Sequence, residues 1–319
     1  MMHARQGFSL KHDPVAGSAP WLAPAVRGAI GIPQALFAYM YPGLWTTFFE
    51  ALGYAVVASG PTTRQRIERA GLVSETEHCL PVKLLDAHLD ALTGRVKRVF
   101  VPRILSTRRG FIACPKLGAL PDAVRARFGD RFDVLTVDVD ENKEPVRKTL
   151  GRLARRLGAT AREGRRAADA AETAMRRTRF DGAVTPAESG KPYVLLGHPY
   201  NVLDPYLSGP VLHILERLGV PGVRMAFDSA PQPGGPLQWD SCALIYDALQ
   251  ALDPARYAGA IHLSSFSCGC DSIAEPFFRD AAQARGLPSM VLCLDEHASL
   301  TGLETRIEAF VDTVSGAAL

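Results

Sequence analysis

Apolar runs alternate with amphipathic stretches along the first half of the chain. The runs are rich in β-branched and aromatic residues, and the stretches between them repeat apolar residues every three or four positions. The predicted strands are residues 29–33, 54–59, 98–102 and 132–140, and the predicted helices are residues 44–52, 62–71, 81–92 and 121–129. Strands that alternate with helices are typical of a parallel sheet connected by crossovers. The first half therefore predicts an α/β lobe with a parallel sheet.

The same alternation returns in the second half of the chain. The predicted strands are residues 193–197, 222–227, 259–266 and 288–295, and the predicted helices are residues 204–219, 241–252, 275–286 and 303–314. This order again favours parallel strands with helical crossovers. We therefore expect two α/β lobes of similar architecture.

A segment of different character separates these halves. Val146, Leu150, Leu153 and Leu157 recur on one helical face, and the surrounding residues are rich in Arg and Lys. The pattern predicts a long helix that joins the lobes and breaks near Gly164. Its basic face could dock a partner, but a solvated helical face explains it more simply. The predicted units are a flexible leader at 1–27, a first lobe at 28–141, a helical connector at 142–190 and a second lobe at 191–319.

Charge and apolar content narrow the class of protein. The net charge of +3 is too small to favour a nucleic-acid binder, and no apolar run is long enough for a membrane span. The first residues lack the continuous apolar core of a secretory signal. We therefore expect a cytoplasmic protein without membrane span or nucleic-acid partner, in which the cysteines are reduced thiols.

Four of the six cysteines lie in loops or helix starts of the predicted lobes. Cys79 precedes a helix, Cys114 follows a strand, and Cys268 and Cys270 lie between a strand and a helix. The carboxyl edge of an open parallel sheet is where ligands bind. These three loops could supply thiolate ligands for an iron–sulfur cluster. Ordinary buried cysteines, a redox pair and a zinc site remain alternatives. The two other cysteines, Cys242 and Cys293, lie in apolar runs and are interpreted as core residues.

Several segments together resemble the acyl-CoA dehydratase activase-related family. They include "IGIPQALFAYMYPGLWTTFFEALGYAVVAS", "EHCLPVKLLDAHLDAL", "CPKLGALPD", "GHPYNVLDPYLS" and "LDEHASLTGLETRIEAFVD". That family is related to the iron–sulfur subunits of 2-hydroxyacyl-CoA dehydratases and to double-cubane cluster proteins. The resemblance implies two Rossmann-like or flavodoxin-like lobes with a [4Fe–4S] or double-cubane cluster between them. It also implies low-potential electron transfer or substrate activation, with an ATP-dependent activator as electron donor.

The resemblance implies particular ligands in this chain. Cys79, Cys114 and Cys268 match the cysteines that hold the cluster in relatives. Cys270 stands where relatives tend to have proline, and it is a fallback for the third ligand. His198 stands where relatives often have arginine, and could approach the cluster or a substrate. No P-loop sequence occurs, so the chain is not itself a P-loop ATPase.

Two functions of different class follow from these patterns. The chain could be an iron–sulfur component of a CoA-substrate dehydratase or reductase system, as a homodimer or heterodimer. It could instead be a non-catalytic two-lobe module that docks an activator or dehydratase. Further residues could tune or support the site, although surface or loop roles explain them as well: His78, Lys83, Lys116, Asp295, Glu296 and His297.

Overall fold

The structure, a computed structural model, describes residues 27–177, 190–225, 234–297 and 300–316. The strands of these residues are β1 Ala29–Ile32, β2 Ala55–Ala58, β3 Arg98–Phe100, β4 Arg103–Ser106, β5 Asp133–Leu135, β6 Asp138–Asp140, β7 Tyr193–Gly197, β8 Gly222–Arg224, β9 Gly259–Ser265 and β10 Ser289–Leu294. The helices are α1 Phe37–Met40, α2 Leu44–Ala51, α3 Arg64–Val73, α4 Leu80–Asp90, α5 Pro115–Phe128, α6 Val146–Arg156, α7 Ala161–Arg177, α8 Pro199–Val202, α9 Pro205–Arg217, α10 Asp240–Ala251, α11 Gly269–Ala284 and α12 Leu300–Gly316. The predicted leader lies outside the described residues except for Arg27. The predicted boundaries of the lobes stay predictions.

The first half forms a parallel sheet in the order β2–β1–β3–β5. The predicted strand 132–140 is divided into β5 and β6, and β6 pairs in parallel with β4, a strand that follows the predicted strand 98–102 and was not predicted. The backbone hydrogen bonds from Val101 to Leu135 and from Arg103 to Val137 join the two pairs, each at 2.9 Å. The parallel α/β architecture of the first half is therefore as predicted.

The second half forms a parallel sheet in the order β10–β9–β7–β8. The chain passes from β7 outward to β8 and then returns to place β9 on the other side of β7. The carboxyl ends of β7 and β9 therefore flank the point where the strand order reverses, which is where open α/β sheets bind ligands. His198 follows β7 directly, and Cys268 lies three residues beyond the end of β9. Together the two sheets confirm the predicted fold class of two Rossmann-like lobes.

Helix α4 is buried on both sides, because it packs between the two halves. Every residue from Leu80 to Leu89 is buried. Leu85 and Leu89 belong to the apolar core of the first sheet, whereas Leu84 and Ala87 pack with the strands of the second sheet. The buried polar residues of this helix have partners: Lys83 pairs with Glu296, Asp86 with Ser74 and His88 with Ser59. This packing therefore places the start of α4, and with it Cys79, between the two sheets.

Two buried polar contacts also connect the halves. The hydroxyl of Thr62 donates a hydrogen bond of 2.5 Å to the carboxylate of Asp204, the residue that caps α9. Lys83 of α4 forms an ion pair with Glu296, which follows β10. Both side chains of this ion pair are largely buried, so removing either one would leave an uncompensated charge. These contacts, together with α4, hold the two halves in one arrangement.

The basic connector is two helices, and its break does not lie at Gly164 as predicted. Helix α6 ends at Arg156, Gly158 has a φ of 77°, and α7 starts after Thr160. Thr160 and Glu163 form a reciprocal capping box, in which the backbone N–H of each residue bonds the side chain of the other. Gly164 instead permits close packing, because a Cβ there would lie 2.9 Å from the Cβ of Ala154. The break is therefore set by helix-terminating chemistry before Gly164.

Helices α5 and α11 begin earlier than predicted. Helix α5 starts at Pro115 rather than at residue 121, and α11 starts at Gly269 rather than at residue 275. Proline at the first position of a helix is favourable because its missing N–H would have no intrahelical partner.

No helix in the described part of the chain combines the length and apolar character that crossing a bilayer demands.

Gly197, the last residue of β7, lies close to β9, and this close approach leads to a testable prediction. Its φ is 153°, and a Cβ there would lie 2.7 Å from the carbonyl oxygen of Leu263 on β9. We expect Gly197→Ala to lower the free energy of unfolding by about 1–3 kcal/mol, because overpacking must separate β7 from β9. Chemical denaturation measures this change.

Gly209 provides the matched control for that substitution. It lies inside α9, and a Cβ there would meet nothing within 4 Å. Gly209→Ala should leave stability unchanged or raise it by about 0.5–1 kcal/mol, because alanine is the better helix former. Equal effects of the two substitutions would contradict the close approach of β7 and β9.

Candidate functional site

Three predicted ligands occupy the same local position, the residue that precedes a helix. Cys79 precedes α4, Cys114 precedes α5 and Cys268 precedes α11. The first N–H groups of a helix have no intrahelical partner and carry partial positive charge. Because α5 and α11 begin earlier than predicted, Cys114 and Cys268 lie at helix starts rather than in loops. Each sulfur is therefore attached where a negative charge is favoured.

The structure brings these cysteines together from both halves of the chain. The Cys79 thiol interacts electrostatically with both Cys114 and Cys268. The Cys114 and Cys270 thiols shift the pKa of each other, as neighbouring groups do. Cys79, Cys268 and Cys270 are buried, and Cys114 is half-buried. The four predicted ligands therefore share one largely dry site, and metal ligation by them stays a prediction.

The thiols of Cys79, Cys114 and Cys270 differ in their affinity for protons. Burial raises the pKa of Cys79 to about 11, although the ammonium of Lys116 opposes this rise. The neighbouring Cys270 thiol and the N–H groups of Lys116 and Leu117 outweigh burial and lower the pKa of Cys114 to about 6. The same Cys114 sulfur, together with burial, raises the pKa of Cys270 far above its usual value. In the metal-free protein this pair therefore shares one proton, and the negative charge lies on Cys114.

A buried group of charged and polar side chains lies next to these cysteines. His198 Nε2 is 2.9 Å from Asp271 Oδ1 and 3.9 Å from Cys268 Sγ. His262 Nε2 lies 3.6 Å from the same carboxylate oxygen, and the Ser264 hydroxyl donates to Asp271 Oδ2 at 2.9 Å. The rings of His198 and Tyr200 stack with their centroids 5.0 Å apart. A single carboxylate therefore lies between two imidazoles beside the cysteine site.

The protonation of His198 follows from this arrangement. Burial favours the neutral imidazole, but the Asp271 carboxylate outweighs burial and holds the pKa of His198 well above its usual value. Conversely, burial disfavours the charged carboxylate, but His198 and His262 hold the pKa of Asp271 well below its usual range. In the metal-free protein the pair is therefore ionised. His198 Nδ1 has no hydrogen-bond partner among the described residues.

Cys242 lies in the site, where the sequence predicts only a core position. It is fully buried, as predicted, but its sulfur lies in one group with His198 and Asp271 whose ligand atoms are within 4.8 Å of one another. Burial raises the pKa of Cys242 to about 11. Imidazole, thiolate and carboxylate are the ligands that zinc accepts. This group is therefore a second set of residues that could hold a metal ion.

Three residues of the site were not identified from the sequence: Asp271, His262 and Tyr200. Asp271 directly follows Cys270, and Tyr200 lies two residues after His198, so both had a neighbour that carried a signal. His262 lies inside an apolar strand, and only its buried position opposite Asp271 reveals a role. Local pattern therefore located the loops but not the side chains that meet behind them.

The other predicted residues take different positions. The ammonium of Lys116 lowers the pKa of Cys79, and its role in offsetting the charge of a cluster stays a prediction. Lys83 pairs with Glu296 across the halves, and the carboxylate of Asp295 accepts a hydrogen bond from the backbone of His297. His78 is held by the Ser74 hydroxyl at 3.1 Å. Among these residues, Lys116 is therefore the one that the structure couples to a predicted ligand.

The interpretation of Cys293 as a core residue is wrong. Cys293 is exposed, and it lies on β10, the edge strand of the second sheet. An apolar run predicts a strand but does not show which of its faces is covered. Cys293 is consequently useful as a thiol outside the site.

The protonation of Cys114 makes a testable prediction. In the metal-free protein at about pH 7, Cys114 should react with iodoacetamide well before Cys79, because the thiolate is the nucleophile. Its rate should fall as the pH is lowered through about 6, where the pKa of Cys114 lies. Mass spectrometry of alkylated peptides across a pH series measures both rates.

Cys270→Ser is the control, since it removes the neighbouring thiol that stabilises the thiolate. The alkylation profile of Cys114 should then move to higher pH. A native profile with a midpoint near about pH 8.5, the value of an unperturbed thiol, would contradict the proton sharing.

Comparison with known proteins gives one family match. The family described as CoA enzyme activase uncharacterised domain matches residues 29–227, which is more than half of the chain. No curated protein matches. Cys79, Cys114 and His198 lie within the matched residues, whereas Cys268, Cys270 and their neighbours follow it. The resemblance seen in the sequence is therefore confirmed, and the chain belongs to the CoA enzyme activase family that this domain defines.

Proposed function

We propose that this chain holds a [4Fe–4S]-type cluster between its two halves, on the thiolates of Cys79, Cys114 and Cys268. The observation that carries the proposal is that three thiols attached at separate helix starts act on one another, Cys79 with both Cys114 and Cys268. Zinc structural sites usually draw on paired C-x-x-C segments, and the sequence contains none. Soft thiolate ligands also select iron–sulfur clusters. The residues present therefore fit such a cluster.

The surroundings of the cysteines support a negatively charged group. Thiolates at helix starts are stabilised by the partial positive charge there. Lys116 adds a full positive charge whose effect reaches Cys79. Tyr200 and His198 are buried against the sulfurs and exclude water from that side. The chain thereby provides charge compensation and shielding, which control the potential of iron–sulfur centres.

A cluster bound here would supply one-electron chemistry at low potential. The residues contribute binding, orientation and exclusion of water. Family membership supports a role in a CoA-linked system, either as a dehydratase or reductase component or as its accessory. Kinship alone does not establish the reaction, since one fold carries many functions. We therefore place the proposal at the level of cluster binding and electron transfer for CoA-substrate chemistry.

The proposal includes an external electron donor, an ATP-dependent activator. Phe266 and Ile273 flank the cysteine loop and are more than half exposed, and Phe277 follows Ile273 one helical turn later. Exposed apolar side chains next to a redox site are suited to docking another protein. This surface lies close to the cysteines, which shortens the path an electron must travel.

The metal content of anaerobically isolated protein tests the proposal. We expect iron and acid-labile sulfide in near equal amounts, with broad visible absorption and little zinc. Substitution to serine at each predicted ligand, Cys79, Cys114 or Cys268, should lower bound iron several-fold, because a lost thiolate is not replaced by water with equal affinity.

Cys293→Ser is the matched control, because Cys293 is an exposed thiol outside the site. Its iron content should equal that of the native chain. Colourless protein without iron after anaerobic reconstitution would refute the proposal. Stoichiometric zinc that is lost on substituting Cys242 would instead favour the His198, Cys242 and Asp271 group as the metal site.

A further inference from the structure

A cavity of about 240 Å³ lies in the second half of the chain, between α10, α11 and the strands β7, β9 and β10. It forms where α11 leaves the edge strand β10 partly uncovered. Val291 is only half-buried there, and Cys293, on the same face of β10, is exposed. No cysteine is among the described residues that line the cavity, so it is separate from the cysteine site. Its walls are mostly apolar: Leu196, Leu249, Ala260, Phe278, Met290 and Val291.

A buried histidine lines this cavity without a hydrogen-bond partner. His262 is 5% exposed, and its ring meets that of Phe278 edge to face, with the ring centroids 5.1 Å apart. Neither ring nitrogen forms a hydrogen bond with a described residue, although Nε2 lies 3.6 Å from Asp271 Oδ1. In the neutral ring this carboxylate favours the proton on Nε2, which leaves Nδ1 as an acceptor. Because buried polar atoms are nearly always paired, a ligand that donates a hydrogen bond would suit the cavity.

The mouth of the cavity is charged. Arg279 and Glu275 line it from α11, one helical turn apart, and both are exposed. Arg279 forms no ion pair among the described residues, and a guanidinium binds a carboxylate through two parallel hydrogen bonds. Glu275 disfavours a second acidic group at the mouth, and Asp271 disfavours one beside His262. The charges therefore favour a single carboxylate, placed at Arg279.

We propose that this cavity binds a small organic acid with an apolar body and a hydroxyl group at the end remote from its carboxylate. The apolar walls contact the body, Arg279 pairs with the carboxylate, and the hydroxyl donates a hydrogen bond to His262. An engineered cavity of about 150 Å³ accepts benzene, so this cavity suits a compound of roughly ten non-hydrogen atoms. The inference goes beyond the proposed function and does not depend on the cluster.

Calorimetric titration of the full chain with three probes of similar size tests the proposal. 7-Hydroxyheptanoate carries both polar groups, octanoate replaces the hydroxyl by a methyl group, and heptane-1,7-diol replaces the carboxylate by an alcohol. We expect octanoate to bind about tenfold more weakly than 7-hydroxyheptanoate, because it leaves the buried His262 unpaired. The diol should bind several-fold more weakly, because it offers Arg279 no carboxylate. Equal affinity for all three probes, or binding of none at millimolar concentration, would overturn the inference.

Arg279→Gln tests the carboxylate contact and should fold normally, because the side chain is exposed. It should weaken binding of both acids several-fold and leave the affinity for the diol unchanged. Arg285→Gln is the matched control, since it removes the same charge just beyond the end of α11, at a residue that does not line the cavity. Equal losses in the two variants would show an effect of overall charge and contradict the role of Arg279.

His262→Leu tests the hydroxyl contact. Leucine resembles histidine in size but accepts no hydrogen bond, so this variant should bind octanoate at least as tightly as 7-hydroxyheptanoate. Circular dichroism confirms that the variant is folded, and the ranking of the probes on the native chain requires no variant. A folded variant that keeps the native preference for the hydroxy acid would refute the role of His262.

The inference and the proposed function fail independently. Protein without iron and sulfide that still prefers 7-hydroxyheptanoate would refute the cluster alone. Protein that contains the cluster but does not distinguish the probes would refute the cavity ligand alone. Iron content and probe affinity measured on the same preparation therefore separate the two.

Discussion

Helix α4 depends on burial on both of its sides, and the candidate site depends on that helix. Leu85 and Leu89 pack into the core of the first sheet, and Leu84 packs into the core of the second. Burying a leucine contributes about 1.5–3 kcal/mol, so each face is anchored by several such contacts. The ion pair between Lys83 and Glu296 adds a polar constraint to the same helix. Because Cys79 begins this helix, the packing that joins the two halves also fixes the first sulfur.

Much of the fold follows from local pattern, because each strand and helix carries its own periodicity. The strands of both sheets and most helices lie where alternation and helical spacing predict them. The deviations have chemical causes that also lie in the sequence. Pro115 begins α5, and the Thr160–Glu163 capping box begins α7. The sequence pattern instead predicted a helix start at residue 121 and a helix break near Gly164. Strand order and the burial of an edge strand depend on distant pairing, which local pattern does not contain.

The site could be predicted only in part for the same reason. The family resemblance identified Cys79, Cys114 and Cys268. Cys114 and Cys268 follow the parallel strands β4 and β9, whereas Cys79 is placed by the packing of α4. Nothing local indicates that Cys242 on α10 faces His198, or that His262 inside β9 lies beside Asp271. Apolar neighbours correctly indicated a buried Cys242 and wrongly indicated a buried Cys293. The two cysteines differ because other elements cover the face of α10 that carries Cys242 but not the face of β10 that carries Cys293. Which face is covered depends on the assembled fold.

The electrostatics of the site link its chemistry to its construction. Burial opposes ionisation of the Cys79 thiol, and the neighbouring Cys268 and Cys114 thiols oppose it further, so the pKa of Cys79 rises to about 11 in the metal-free site. The shared proton of Cys114 and Cys270 limits that pair to one negative charge. Metal ions that replace these protons remove the repulsion, and helix starts that already face the sulfurs need no rearrangement to accommodate the remaining charge. The cysteines at these three helix starts are therefore unfavourable as thiolates without a metal. A cationic centre that binds thiolates is favourable in the same place.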